Sequence, residues 1–203
     1  MLSDLTQLQR QVLKFYLDVF SDSNGDIQLY KARTHGQMGL TSFSREVKVA
    51  HILLPTDDGS TMHFYGTLGD SLAEVGKAVD HEHQFICIFD EKYDEAAVMV
   101  AYARVHHDIA GLLDAHSSFL LEETSALRSR GYSNVLVARA DLFTPFENKN
   151  NALLAGVPNR ILSLVPLEPR EWTIKVEKGI DALFDEFKAI GRDLLCLRPV
   201  LDG

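Results

Sequence analysis

Hydrophobic positions along the chain follow two different spacings, one typical of helices and one typical of strands. Apolar residues recur three or four positions apart, as they do on the buried face of a helix, in three stretches: 2–19, 93–113 and 168–190. Short apolar runs or alternating apolar and polar residues, which are typical of strands, occupy six others: 27–32, 47–54, 62–68, 85–89, 135–142 and 160–165. Because both kinds of element occur along the chain, the sequence predicts an α+β protein.

The segment from Arg160 to Phe187 is the most informative part of the chain. Its apolar strand is expected to end at Pro166, which cannot donate a hydrogen bond to a sheet ladder. A helix is expected to begin near Glu168, because Pro169 suits a first helical turn, and to end at Gly191. The apolar face of this helix consists of Trp172, Val176, Ile180, Leu183, Phe184, Phe187 and Ile190.

Gly179 lies in the middle of this predicted helix. Glycine in a helix interior costs about 1 kcal/mol relative to alanine, so its presence needs a reason. We expect that the missing side chain lets another element pack closely against the helix.

The other segments predict the remaining connections of the fold. The first helix, with Ser3 or Asp4 as its cap, is expected to cover one face of the sheet. The apolar run 85–89 is expected in the centre of the sheet, whereas the alternation over 62–68 is typical of a half-exposed strand. Turns and loops are predicted at 34–43, 56–60 and 144–156, and 117–131 fits either a helix or a strand.

Several of these residues resemble the suppressor-of-fused (SUFU) domain family, in particular its single-domain bacterial members. The residues that carry the resemblance are Gly69 and Ser71 after an earlier strand, and the C-terminal signature residues Pro166, Leu167, Glu171, Lys175, Gly179 and Leu183. The chain departs from the family at Trp172, usually a smaller apolar residue, at Glu168, usually a better helix cap, and at Asp70, where the family has Leu or Met.

The resemblance covers roughly residues 27–187. It implies a mixed, mainly antiparallel β-sheet flanked by helices, in one SUFU-like domain over residues 1–203, with no catalytic site and no cofactor. It also implies protein binding. The metazoan member adds a peptide strand of a transcription factor to its sheet, and bacterial members are regarded as immunity proteins that neutralise toxins.

Composition limits the classes of partner and the compartment. Hydrophobic residues make up 46% of the 203 residues, which is typical of a folded protein long enough for one sizeable domain. The 29 acidic and 20 basic residues give a net charge of −9, which disfavours nucleic acid and anionic membranes and favours a basic protein partner. Cys87 and Cys196 lack metal-site spacing, and the N-terminal segment lacks a signal-peptide pattern, so a cytoplasmic protein is expected.

The block Gly69-Asp70-Ser71-Leu72 offers an alternative function. These letters match the nucleophile block of an esterase and lipase family, in which serine attacks an acyl carbon with histidine as base. That family has its paired Asp and His near the C-terminus, whereas here no histidine follows His116. Asp80 and His83 have the required types but lie close to the block in the same connection, so a turn that closes a strand is the simpler interpretation.

Histidines occur in two groups that could ligate a metal. One group is His81, Glu82 and His83, and the other is His106, His107 and Asp108. Neither has a recognised metal-site spacing, so an exposed connector and a helix surface are the simpler interpretations, and no metal is predicted. His51 and His63 occupy strand positions and are expected to be structural.

The densest acidic group of the chain consists of Asp90, Glu91, Asp94 and Glu95. Acids near the positive end of a helix dipole need no partner, so a solvated helix start explains them. A docking surface for a basic protein is the alternative. Lys and Arg are scattered without interleaved aromatic residues, and nucleic-acid binding is therefore not predicted.

Overall fold

The computed structural model describes residues 4–20, 26–38, 41–69, 82–93, 95–110, 115–121, 125–147, 151–154 and 157–195. Within these ranges the helices are α1 (Gln7–Val19), α2 (Ala96–Ala110), α3 (Ala126–Ser129), α4 (Pro169–Lys178) and α5 (Ile180–Ile190). The strands are β1 (Ile27–Met38), β2 (Thr41–Pro55), β3 (Thr61–Thr67), β4 (Glu82–Phe89), β5 (Ser118–Leu120), β6 (Asn134–Arg139), β7 (Asn151–Leu154) and β8 (Val157–Leu167).

The described strands form one mixed sheet with the order β1-β2-β3-β4-β8-β6-β5, and β7 also pairs with β8. Only β4 and β8 run parallel among the described pairs, and the other pairs are antiparallel. The predicted α+β fold with a mixed, mainly antiparallel sheet flanked by helices is therefore confirmed. So is the central position of the apolar run 85–89, which lies in β4.

Helix α2 packs on one face of the sheet, where it contacts strands β1 to β4. Alternate residues of the strands, such as Phe85 and Cys87, face this helix and form one core with it. The strands β1 and β5 stand at opposite ends of the strand order, yet both line the same cleft beside α2. The sheet therefore curves around α2.

Helices α1, α4 and α5 cover the opposite face of the sheet, as the sequence predicts for α1. Tyr16 of α1 lies directly on Gly66, where an added Cβ would come within 2.7 Å of the ring. The Tyr16 hydroxyl donates to the carbonyl oxygen of Thr67 at 2.9 Å. Because α1 and α2 cover both faces, residues 64–67 of β3 are buried, and the predicted half-exposed strand is wrong for this half.

Antiparallel pairing extends several elements beyond their predicted ends. Residues 34–38 and 41–43 of the predicted loop are strand: β1 and β2 continue their register from Thr34 opposite Arg45 to Met38 opposite Thr41, so the ladder satisfies this backbone despite Gly36. β8 likewise continues through Pro166 to Leu167. Its pairing with β4 extends only as far as Ser163, so Pro166 pairs with β6 alone, and a missing N–H is tolerated there.

The structure also shows the secondary structure of the shorter segments and the cap of α1. Residues 117–131 contain both the strand β5 and the short helix α3. The predicted polar loop at 144–156 contains a short helical turn and β7, which pairs with β8. The cap of α1 is Thr6, not Ser3 or Asp4, and Thr6 and Gln9 form a capping box.

The predicted helix over 168–190 is two helices, which meet at Gly179. Glu168 and Pro169 start α4 and Gly191 ends α5 as expected, but Gly179 has φ 90° and ψ 176° and belongs to neither helix. An added Cβ at Gly179 would meet nothing within 4 Å, so close packing is the wrong reason for this glycine. Of the predicted apolar face, Val176 in α4 and Ile190 in α5 are exposed.

Substitutions at Gly179 test this reason. A positive φ with extended ψ is a conformation that only glycine adopts readily, so Gly179→Ala and Gly179→Leu should each lower the free energy of unfolding by roughly 1–3 kcal/mol. Urea denaturation of both variants measures this loss. Similar losses are expected because the site has room for either side chain. A much larger loss for leucine would indicate crowding, and a gain in stability would contradict the strained backbone.

Candidate docking cleft

A cleft of about 250 Å³ lies beside α2, between the two end strands of the sheet. Apolar side chains and a few polar groups line it. Its lining residues are Arg33 and Thr34 of β1, Tyr93, Glu95, Val98, Met99 and Tyr102 in and before α2, Phe119, Leu120 and Leu121 in and after β5, and Ser125 before α3.

Hydrogen bonds between the start of α2 and the start of α3 hold one wall of the cleft in place. The Tyr93 hydroxyl lies 2.9 Å from Oε2 of Glu95 and 3.3 Å from Oγ of Ser125, and it accepts from the backbone N–H of Leu127 at 3.2 Å. Oε2 of Glu95 also accepts from the N–H of Ala126 at 3.0 Å. Burial, together with the contact with Glu95, raises the pKa of Tyr93 to about 12, whereas the hydrogen bonds with Ser125 and Leu127 oppose this shift. The Tyr93 hydroxyl therefore keeps its proton.

The apolar part of the cleft reaches the surface at two side chains. Val98 of α2 is 43% exposed and Leu120 of β5 is 62% exposed. The half-buried rings of Tyr102 and Phe119 lie behind them, 5.5 Å apart between centroids. Large apolar side chains that share one exposed concave surface are typical of sites where a partner or a ligand binds.

Two charged groups of opposite sign lie at the cleft. The Glu95 carboxylate is partly buried and is held by the neutral donors Tyr93 and Ala126. The Arg33 side chain is 66% exposed, and its Nη2 lies 3.9 Å from a carboxylate oxygen of Glu46. Solvent and the Glu46 carboxylate screen the charge of Arg33, whereas Glu95 is partly buried and has no such screening from its neutral donors. The negative charge of Glu95 therefore dominates within the cleft.

The other described members of the acidic group, Asp90 and Glu91, lie in different surroundings from Glu95. Glu91 forms an ion pair with Arg130, and the backbone N–H of Asp90 donates to the carbonyl oxygen of Leu195 at 2.9 Å. Asp94 lies outside the described residues. The carboxylate of Glu91 and the backbone of Asp90 therefore have internal structural contacts, and of the described members of this group only Glu95 lines the cleft.

Most of the C-terminal signature residues pack inside the protein, but Lys175 is only half-buried and Gly179 is exposed. Leu167 and Leu183 are fully buried, and Glu171 forms a buried ion pair, with its Oε1 3.0 Å from Nε of Arg192. The other oxygen of Glu171 accepts from the N–H of Glu168 at 2.8 Å and completes the capping box of α4. Burial raises the pKa of Glu171, and the bonds from Glu168 and Arg192 oppose this shift.

Lys175 belongs to the same arrangement. Its Nζ donates to Oγ of Ser118 at 3.2 Å and lies 5.2 Å from the centroid of the Trp172 ring, so it links α4 to the start of β5. Burial lowers the pKa of Lys175. Among the described members of the signature, the contacts thus connect α4, α5 and the sheet.

Of the esterase block, only Gly69 belongs to the described residues, and its carbonyl oxygen accepts from Nε2 of Gln9 at 3.0 Å. Ser71, with Asp70 and Leu72, lies outside the described residues, so the alternative function as an esterase is untested.

The two histidine groups of the sequence meet at the far end of α2. The rings of His83 and His107 lie 3.9 Å apart between centroids, and His81 lies outside the described residues. Asp108 does not lie on an open helix surface, since its oxygens are 2.9 Å from Nε of Arg104 and 3.0 Å from Nη1 of Arg45. Nowhere in the described chain do three potential metal ligands of the His, Cys, Asp or Glu types come together.

His51 and His63 form a stacked pair on adjacent strands. Nε2 of His51 lies 3.0 Å from Nδ1 of His63, and the His51 ring stacks on Tyr65 at 4.4 Å between centroids. Burial, together with the charges of His63 and Lys92, lowers the pKa of His51 to about 4. Both histidines thus have the structural surroundings expected of them, although Nδ1 of His51 is buried without a hydrogen bond.

The His51 pair predicts a loss of stability in acid. The folded protein keeps His51 neutral down to a pKa of about 4, whereas the unfolded chain binds the proton near 6.5. The stabilisation is therefore complete above pH 6.5 and decreases as the pH falls towards 4, by up to about 3 kcal/mol. Urea denaturation across this range should give a steeper decrease for the wild type than for His51→Phe, which retains a stacked ring. Equal slopes would contradict this role of His51.

Several functional candidates were not predicted from the sequence. Val98, Leu120 and Arg33 belong to a helix or to strands, and nothing in their spacing shows that they share a cleft. Arg192 falls after the predicted helix, where only its charge could have suggested a partner for Glu171. Cys87 is buried in the core, and burial raises the pKa of its thiol, so it is a packing residue.

Comparison with known proteins bears on the fold. The structure is similar to a crystal structure of a protein described as a SUFU (suppressor of fused protein) homologue from Neisseria gonorrhoeae FA 1090. The TM-score is 0.62 at 13% sequence identity, and the match covers 97% of this chain and 98% of the other. No family model and no curated protein matches the sequence. The chain therefore has a SUFU-like fold.

None of the described helices is both long enough and apolar enough to cross a membrane.

Proposed function

We propose that this protein is a non-enzymatic, SUFU-like binding domain that sequesters a protein partner, as an immunity protein or a regulatory factor. The observation that carries the proposal is the cleft beside α2, which combines exposed apolar side chains with the two end strands of the sheet. The SUFU-like fold and the signature residues support the same class of function by analogy.

The proposed partner segment is extended and lies in the cleft. An end strand has unpaired backbone N–H and C=O groups along one side, and an added strand can pair with them. Backbone pairing with β1 or β5 would provide part of the affinity, and the side chains of α2 below would select the sequence. In an immunity role the segment belongs to a toxin, and a toxin gene next to the gene for this protein would support that role.

The absence of an enzymatic activity is part of the proposal. It rests on the incomplete esterase pattern, which lacks a histidine after His116. Hydrolysis of para-nitrophenyl acyl esters by the purified protein, if Ser71→Ala abolished it, would contradict this part of the proposal.

Filling the cleft tests the proposed function directly. Val98 and Val176 are both exposed valines on helices, but only Val98 lines the cleft. The immobilised wild-type protein is first used to isolate a partner from an extract of the native host. Val98→Trp should bind this partner at least about tenfold more weakly, because the indole ring fills the cleft. Val176→Trp should bind as the wild type does, and isothermal titration with the identified partner measures both.

Two outcomes would contradict the proposal. Equal binding by Val98→Trp and the wild type would show that the partner docks away from the cleft. A partner released by Val176→Trp but not by Val98→Trp would place the interface on α4. Circular dichroism of both variants establishes that the tryptophans leave the fold intact.

A further inference from the structure

We infer that the cleft receives one bulky apolar side chain, aromatic or long aliphatic, from a partner segment that carries a basic residue beside it. This inference rests on the proposed function and adds the chemistry of the partner. Three features of the cleft support this inference: its size, the exposure of its apolar walls and the sign of its dominant charge.

The size of the cleft matches a side chain better than a cofactor. Its volume is about 250 Å³, below the range of about 300–1,000 Å³ that is typical of pockets for drug-sized ligands. A single aromatic or long aliphatic group suits such a volume. Aromatic anchors that enter small pockets account for much of the affinity in many protein interfaces.

The walls of the cleft are suited to an apolar group. Val98 and Leu120 expose apolar surface at its mouth, and Met99 and Leu121 are buried deeper. Water removed from these surfaces by a docked side chain favours binding in proportion to the apolar area covered. A polar or charged group in this position would lose its hydration without an equivalent gain.

The charge of the cleft selects the neighbour of that side chain. The hydrogen bonds from Tyr93 and Ala126 fix the position of the Glu95 carboxylate but do not neutralise its charge. Arg33 is the opposing charge, but its exposure and the nearby Glu46 weaken its effect in the cleft. A lysine or arginine next to the anchor therefore gains more from Glu95 than it loses to Arg33. The net charge of −9 acts in the same direction at long range.

Two small probes test this inference without any partner. Para-ethylbenzylamine carries an apolar ring and an ammonium group, and para-ethylbenzoate carries the same ring with a carboxylate. Each is titrated into isotope-labelled protein while the NMR methyl signals of Val98, Met99 and Leu120 are recorded. The amine should cause saturable shifts with a Kd in the millimolar range, and it should bind about fivefold more tightly than the benzoate, as expected for one screened charge near contact.

Variants assign the preference to Glu95. Glu95→Gln retains a side-chain oxygen that can accept from Ala126, and it should reduce the preference for the amine to within about twofold. Asp185→Asn removes an exposed carboxylate from α5, outside the cleft, and should retain the full preference. Val98→Trp should abolish the shifts with both probes, and Val176→Trp should not.

The wild-type titrations alone can overturn the inference, so it does not depend on how well a variant folds. If neither probe gives saturable shifts at these methyl groups, the cleft does not receive an apolar anchor. Benzoate binding as tight as or tighter than amine binding would show that Arg33 dominates and that the neighbour is not basic. Amine binding in the cleft, combined with an unchanged partner affinity of Val98→Trp, would contradict the proposed function alone.

Discussion

The burial of α2 is the constraint on which the rest of the structure depends. The helix is covered by the sheet along most of its length, and many of its buried residues are small: Ala96, Ala97, Val100, Ala101, Ala103 and Val105. Small side chains let the strands approach the helix closely, and the sheet must curve to reach several sides of it. This curvature brings β1 and β5 to one cleft although they are the two ends of the strand order.

The same burial explains the polar contacts at the far end of α2. Arg104 has a side chain that is only 1% exposed, and an unpaired charge there would be very costly. Asp108, one helical turn later, accepts from Arg104 Nε at 2.9 Å, and the carbonyl oxygen of His83 accepts from Nη1 at 2.7 Å. This arrangement fixes the C-terminal part of α2 to β4. The N-terminal part of α2, which carries Val98, lines the cleft instead, together with Glu95 just before the helix.

The C-terminal signature residues report the fold more directly than the function. Removing one partner of a buried ion pair such as Glu171–Arg192 typically costs about 3–5 kcal/mol, a large share of the roughly 5–15 kcal/mol that stabilises a domain. The stability of the fold depends on residues with contacts of this kind. Their pattern could therefore indicate a SUFU-like fold although the similar structure shares only 13% of its residues with this chain. The cleft residues are not part of that pattern.

Local sequence patterns predict the helices and strands, but they do not predict which distant residues the fold brings together. The apolar run of β4, the hairpin turn at 56–60 and the start of α4 at Pro169 depend on neighbouring residues, and the sequence shows them. The sequence suggests the wrong reason for Gly179, because a glycine within a helical stripe looks the same whether it allows close packing or a positive φ. Val98 and Leu120 share a cleft only because of the strand order and the curvature of the sheet. The spacing of apolar residues along the sequence predicts neither of these.

Amide hydrogen exchange with and without the bound partner tests the central claim most directly, because it reports backbone pairing at the strand edges. Docking at the cleft should slow the exchange of outward-facing amides in β1, in β5 or in both when the partner is bound, and it should also slow exchange at the start of α2. Unchanged exchange in both strands, with protection confined to α4 and α5, would contradict docking at the cleft.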